Sequence, residues 1–324
     1  MIKPWIFEQL NISSCEDPSL FDVGVCEDEY AWRLDMWSEA EKLDFHGIFF
    51  SEHHFNGMRI CPSPGLLAAA VAGRTKRLRI GLLGLVLPLC EPWRVIEEVG
   101  VLDHLSRGRL EVGVARGSNP REAEAVGIAQ SEIVPRYNEA LDILDKAWRT
   151  PTLSHQGHYW SFDNLAILPR PIQQPAPPIW ATVRSVESAM DAARRGHKIC
   201  TGFLPTEQVK ELFDAYRESA AASGMPHGAD RLAIRRCIFV AQSTAEAEEH
   251  VQAAREQMPS ILQEDTIAGN PGEVTEQIIA QARRTGAENM VGFFAGNRLD
   301  RISVQESYRL FGTEVIPTLR RTSV

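Results

Sequence analysis

Several things are scarce in this 324-residue sequence, and each scarcity excludes something. No apolar stretch has the length needed to cross a bilayer, which argues against a membrane-spanning helix. The start, "MIKPWIFEQL", lacks the long apolar core and small-residue cleavage site of a secretory signal, so a cytoplasmic location is expected. There is no basic excess. The formal charge is −9, whereas a general nucleic-acid binder draws its affinity from clustered Lys and Arg. Cysteine is sparse: the six residues Cys15, Cys26, Cys61, Cys90, Cys200 and Cys237 are scattered without a CxxC pair, as expected of reduced, packed thiols. HExxH is absent, and neither GxGxxG nor GxxxxGK[ST] follows the first strand candidate, as a doubly wound open sheet would usually have it.

What is present is an alternation. Trp32, Met36, Ala40 and Leu43 place one apolar stripe on a helix that Gly47 ends, and "GIFF" then reads as a strand covered on both faces. "PGLLAAAVAGRTK" is a small-residue helix, "LRIGLLGLVLPL" a buried strand and "EPWRVIEEVGVLDHLS" a helix. "GRLEVGVARG" alternates as a strand, and the spacing of Val134, Tyr137, Leu141, Leu144 and Trp148 predicts a helix over 131–149. Segment 150–178 breaks the rhythm, and "LPRPIQQPAPP" is too rich in proline for a helix interior or central strand. The rhythm resumes with "PIWATVR", "SVESAMDAARRG", "HKICTG", "RLAIRRCIFVAQ" and "ENMVGFF". With a first strand in "PWIFEQL" the count is about eight strand-helix units, the number that closes a (β/α)8 barrel. The expectation is one TIM-type barrel domain over 1–324, with a long insertion around 150–178.

In such a barrel the strand ends open onto the functional face, so polar residues that close apolar runs are candidates. "FSEHHF" supplies Glu52, His53 and His54. Adjacent histidines on a strand end point to opposite sides, which disfavours convergent metal ligation. Local packing and proton transfer by an imidazole titrating near neutrality remain open. "GVARGSNPRE" and "ATVRSVES" place Arg116, Arg184, Ser185 and Ser188 beside backbone N–H groups, a combination suited to phosphate, although surface ion pairing and helix capping are the ordinary roles of such residues. Gly84, inside a central strand, marks either tight barrel packing or the approach of a flat ring. His155 and His158 are expected at the surface.

The stretches "GIFFSEHHFN", "RLRIGLLGLVLPL", "EPWRVIEEVGVLDHLSRGRLEVGVARG", "PIWATVRS" and "GEVTEQIIAQARRTGAENMVGFFAGNR" resemble the bacterial luciferase-like family of flavin-dependent monooxygenases. The resemblance implies reduced FMN bound at the strand ends, O2 as co-substrate and oxygenation through a C4a-peroxyflavin. It also implies a separate NAD(P)H-dependent flavin reductase and a homodimer, with the helix at 92–105 a candidate interface. His53 matches the family acid/base, with Glu52 and His54 supporting it. Arg116, Ser185 and Ser188 match the phosphate ligands, Arg136 a further phosphate-site arginine, and Val183, Arg184 and Phe203 fall on the neighbouring loops. Leu83-Gly84 matches a non-prolyl cis peptide beside the ring. Ala115, Arg184 and Phe203 stand where luciferase has cysteine, glutamate and tryptophan, which makes light emission an unexpected activity here. A deazaflavin (F420)-dependent oxidoreductase, a non-catalytic flavin-binding protein and a metal-dependent hydrolase are the rivals. The substrate is expected to be a small organic molecule, met by loops 118–130, 150–175 and 260–272.

Overall fold

The computed structural model describes all residues except 13–16, 56, 58, 256–265 and 295–299, so Cys15, much of loop 260–272 and the "GNR" of the tail lie outside it. Among the described residues eleven strands form: β1 Lys3–Glu8, β2 Gly47–Phe50, β3 Arg79–Val86, β4 Leu110–Ala115, β5 Leu153–Gln156, β6 Ser161–Leu165, β7 Ile179–Val183, β8 Lys198–Thr201, β9 Leu232–Val240, β10 Ile267–Gly269 and β11 Asn289–Phe293. The helices are α1 Val23–Lys42, α2 Pro64–Arg74, α3 Pro92–Ser106, α4 Pro120–Ala125, α5 Ile133–Ala147, α6 Val186–Arg195, α7 Thr206–Ala222, α8 Thr244–Arg255, α9 Pro271–Thr285, α10 Arg301–Leu310 and α11 Ile316–Arg321.

Eight strands pair in parallel in the order β9-β11-β1-β2-β3-β4-β7-β8, and β8 pairs back onto β9, closing the barrel. The short β10 flanks β9 as an addition. Strands buried on both faces explain the continuous apolar runs. Outward residues such as Ile6, Ile48, Ile80 and Val112 pack under the helices, while Trp5, Phe7, Phe49, Leu83, Trp180 and Phe293 fill the interior. Trp5 and Phe49 stack with centroids 4.5 Å apart, and Trp180 meets Phe49 edge-on at 5.7 Å. Gly47 makes room for this, since a Cβ there would lie 2.2 Å from the Trp5 ring. Each such aromatic buried contributes on the order of 2–3 kcal/mol.

The helix predicted over 131–149 forms as α5 with Tyr137, Leu141 and Leu144 buried, but Val134 is 45% exposed. The insertion is an antiparallel hairpin, β5-β6, followed by the proline-rich run, in which Leu168-Pro169 and Gln174-Pro175 are cis. Glu139 of α5 latches the hairpin tip, accepting from the backbone N–H groups of His158 at 3.0 Å and Trp160 at 2.9 Å. His155 Nε2 lies 3.2 Å from the same carboxylate and is half-buried, contrary to the surface position expected; His158 is exposed. Arg170 then caps the end of α5, donating to the carbonyls of Ala147 and Trp148. Among the described residues no helix is long and apolar enough to cross a membrane.

Candidate active site

The C-terminal strand ends carry most of the sequence candidates but divide them: Glu52 and His54 line the groove along α2 and α3, while Arg116, Val183 and Ser188 line a separate cavity with residues of α5 and α6. His53 follows β2 and reaches Glu122 on α4, its Nδ1 3.3 Å from Oε1. His54 turns the other way, with Nε2 2.9 Å from Glu52 Oε1. The pairing corrects one expectation: Glu52 supports His54 and accepts from Val86 N–H at 3.3 Å, while the carboxylate on His53 is Glu122. Sequence reading passed over Glu122, whose hint was the buried acid in the "PRE" turn beside the arginine motif. A carboxylate at Nδ1 fixes the tautomer that leaves Nε2 as an acceptor.

A second correction concerns charge. Burial, reinforced by the Arg59 and Arg235 guanidiniums and His54, pushes His53 down to about 3, so it is neutral at physiological pH rather than poised to titrate there. The contact with Glu122 is too long to offset this. His54, bonded to Glu52, is shifted upward, and burial raises Glu122.

Arg116, exposed at the end of β4, shares a cavity of about 230 Å³ with Ser188, Tyr137, Asn138 and Thr182; Glu187 and Asp191 also line it. Ser185 is the N-cap of α6: its hydroxyl accepts from Ser188 N–H at 3.3 Å, and Ser188 Oγ donates to the Ser185 carbonyl at 2.8 Å. Capping therefore occupies part of both hydroxyls. Val183 is buried toward the helical layer and lines the same cavity. Arg184 is exposed and lies along Gly202. Arg136 goes elsewhere, its guanidinium 4.5 Å above the Tyr159 ring of the hairpin, and it does not line the Arg116 cavity.

Leu83 faces the interior and the Leu83-Gly84 peptide is cis. Glycine at 84 is demanded by the neighbouring strand, since a Cβ would lie 2.9 Å from the Val114 carbonyl carbon. Phe203 meets Phe7 and Phe293 edge-on, each at 6.4 Å, forming an aromatic floor. Around it, buried polar atoms lack partners: Gln9 Oε1, Ser51 Oγ, Arg59 Nη1, Thr201 Oγ1 and Arg235 Nε. Arg59 and Arg235 are further residues that sequence reading missed, because neither belongs to a strand-end motif. No group of three or more His, Cys, Asp or Glu suited to a metal ion occurs among the described residues.

A closed parallel barrel whose mouth combines a neutral histidine, open guanidiniums and an aromatic floor defines a class of ligand-binding α/β barrel. The sequence profile of the luciferase-like monooxygenase family matches residues 23–291, and the chain belongs to that family. An uncharacterized protein of Sinorhizobium fredii is 38% identical over 68% of this chain and 64% of its own length. The oxygenase component of a flavin-dependent trigonelline monooxygenase from Acinetobacter baylyi is 29% identical over 71% of this chain and 63% of its own. The chain thus spans just under two thirds of the length of these two relatives. The fold also matches the oxygenating constituent of 3,6-diketocamphane monooxygenase from Pseudomonas putida, solved with FMN, with a TM-score of 0.83, 21% identity and 98% of both chains covered.

Proposed function

We propose that the chain is the oxygenase of a two-component system, receiving reduced FMN from a separate NAD(P)H-dependent flavin reductase and using O2 to oxygenate a small organic substrate. The observation that carries this reading is the mouth itself: a neutral, buried His53 beside guanidinium, hydroxyl and aromatic groups that are incompletely partnered, in a chain of this family. The name of the Acinetobacter baylyi relative, an oxygenase component, supports it.

The residues fit FMN. Arg116, Ser188 and Ser185 at the start of α6 would hold the phosphate, where guanidinium, hydroxyl and helix N-terminus act together. Leu83, Gly84 and Phe203 would wall the ring, and Arg184 would add positive charge at the rim. When bound, reduced FMN supplies the electrons that activate O2. The chain supplies the rest: Phe7, Phe203 and Phe293 exclude water, neutral His53 offers Nε2 as a hydrogen-bond acceptor to the reacting group, and Glu122 holds its tautomer.

A second copy of the chain is proposed to cover the groove of about 990 Å³ along α2 and α3, where Leu66 is 74%, Val101 44% and Leu105 55% exposed. A Leu66→Asp variant should then shift light-scattering mass from dimer to monomer.

The deciding experiment is anaerobic titration with reduced FMN followed by oxygenated buffer. Saturable binding and reoxidation slower than that of free FMN support the reading. Binding of a reduced deazaflavin in its place, without oxygen uptake, would replace it with hydride transfer.

A further inference from the structure

Arg235 lies on β9 between Ala233 and Cys237, both in the interior aromatic cluster, so its side chain points into the barrel. Its guanidinium carbon sits 4.6 Å from the Phe7 centroid and 5.0 Å from that of Phe203. Ring faces satisfy the flat faces of a guanidinium but not its N–H edge. Of that edge, Nε is buried without an acceptor. Arg59, in the segment after β2 and held by an antiparallel bridge to Asn11, leaves its Nη1 buried and unpartnered in the same way.

These two arginines differ from Arg109 and Arg33. Arg109 donates five hydrogen bonds, to Ser106, Thr75, Leu78, Ala72 and Thr75 again, and Arg33 is paired with Glu29 and Glu8. The fold therefore satisfies guanidiniums where it uses them as struts. Arg59 and Arg235 lie within electrostatic range of each other and of His53. Besides burial, Arg235 feels two thiols, Cys200 and Cys237, and a third guanidinium, Arg184. The one carboxylate in contact with His53, Glu122, already serves it and His54. Among the described residues neither Arg235 Nε nor Arg59 Nη1 meets an acceptor.

We propose that Arg235 and Arg59 form an anion subsite beside His53, so that the substrate carries a carboxylate on an apolar or aromatic body. A carboxylate matches the guanidinium edge bidentately, and Phe7, Phe203 and Phe293 offer the surface for the body. The substrate assignment rests on reading the mouth as the oxygenation site; the subsite itself rests only on the arginines.

The test uses benzoate as probe and benzamide as its uncharged counterpart, titrated calorimetrically into the full-length protein with and without reduced FMN. Benzoate should bind saturably and benzamide should not. Arg235→Gln should weaken benzoate by about tenfold or more while leaving reduced-FMN affinity within about threefold, and Arg235→Lys should fall between, keeping the charge but not the fork. Arg59→Gln, on a different element, repeats the test should Arg235→Gln not fold. Equal binding of the two probes, binding of neither, or loss of FMN affinity in both variants with benzoate unaffected would overturn the subsite, the last by giving the guanidiniums to the cofactor. Benzoate binding that depends on Arg235 in a protein that ignores reduced FMN would instead sink the oxygenase reading and leave the subsite standing.

Discussion

The two ends of the barrel are built from the same residue types and partner them to different degrees. At the closed end Glu111, inside β4, takes Arg79 Nε and Trp180 Nε1, each at 2.6 Å, with Lys198 Nζ at 3.6 Å. Trp5 Nε1 donates to Asn289 at 3.0 Å, and Asn289 in turn donates to the carbonyls of Asp230 and Leu232. Every polar group named there has a partner, although His197 Nδ1, just before β8, is buried without one. At the mouth, Arg59, Arg235 and Ser51 each leave a buried polar atom open. An unpaired buried donor costs about 1–3 kcal/mol, so the mouth gives up stability that a bound ligand would restore. The comparison separates residues that hold the fold together from residues held ready by it.

Substitutions can break that division, and the largest effect should come from the mouth. His53→Ala is expected to lower turnover by about 10²–10⁴-fold with little change in melting temperature or FMN affinity; unchanged turnover would remove His53 from the chemistry. Next is the closed end. Glu111→Ala leaves Trp180 Nε1 and two cations without their acceptor, and should cost about 3 kcal/mol in chemical denaturation while FMN affinity holds; a loss of affinity with stability intact would erase the distinction. Arg116→Ala should weaken reduced FMN about tenfold, read by fluorescence titration, and Arg136→Ala should not.

The smallest effect is shared by both ends. His46, near Lys3, Arg79 and Lys198, and His53 in the mouth are each pushed down to about 3, chiefly by burial and secondarily by cations. Unfolded, each titrates near 6.5. Between those values the unfolded chain binds more protons, so stability should rise as pH climbs from 3 to 6.5 and be fully present above. In His46→Asn the dependence of the denaturation midpoint on pH should flatten over that window; a midpoint whose slope is unaltered would show that His46 is not buried neutral.

How much of this was readable beforehand depended on the range of the interaction involved. Barrel closure was legible because each strand is a continuous apolar run and each helix a stripe. The partners were not legible: Glu122 is 69 positions from His53 and meets it only because α4 folds back over the mouth. Arg136 shows the converse, a basic residue at a suggestive position that the hairpin aromatics draw away. Val134 kept the helical spacing yet lies exposed, because periodicity marks a face of a helix and not how far that face is covered.

Local chemistry, written in residue type and spacing, determined the eight strand-helix units, the glycine-arginine and serine motifs at the strand ends and the histidine pair. Tertiary structure alone decided which carboxylate serves which histidine, that His53 is neutral, and that Arg59 and Arg235 share one mouth without an acceptor. Those properties are set by burial and by charges distant in the chain, and neither exists until the barrel closes.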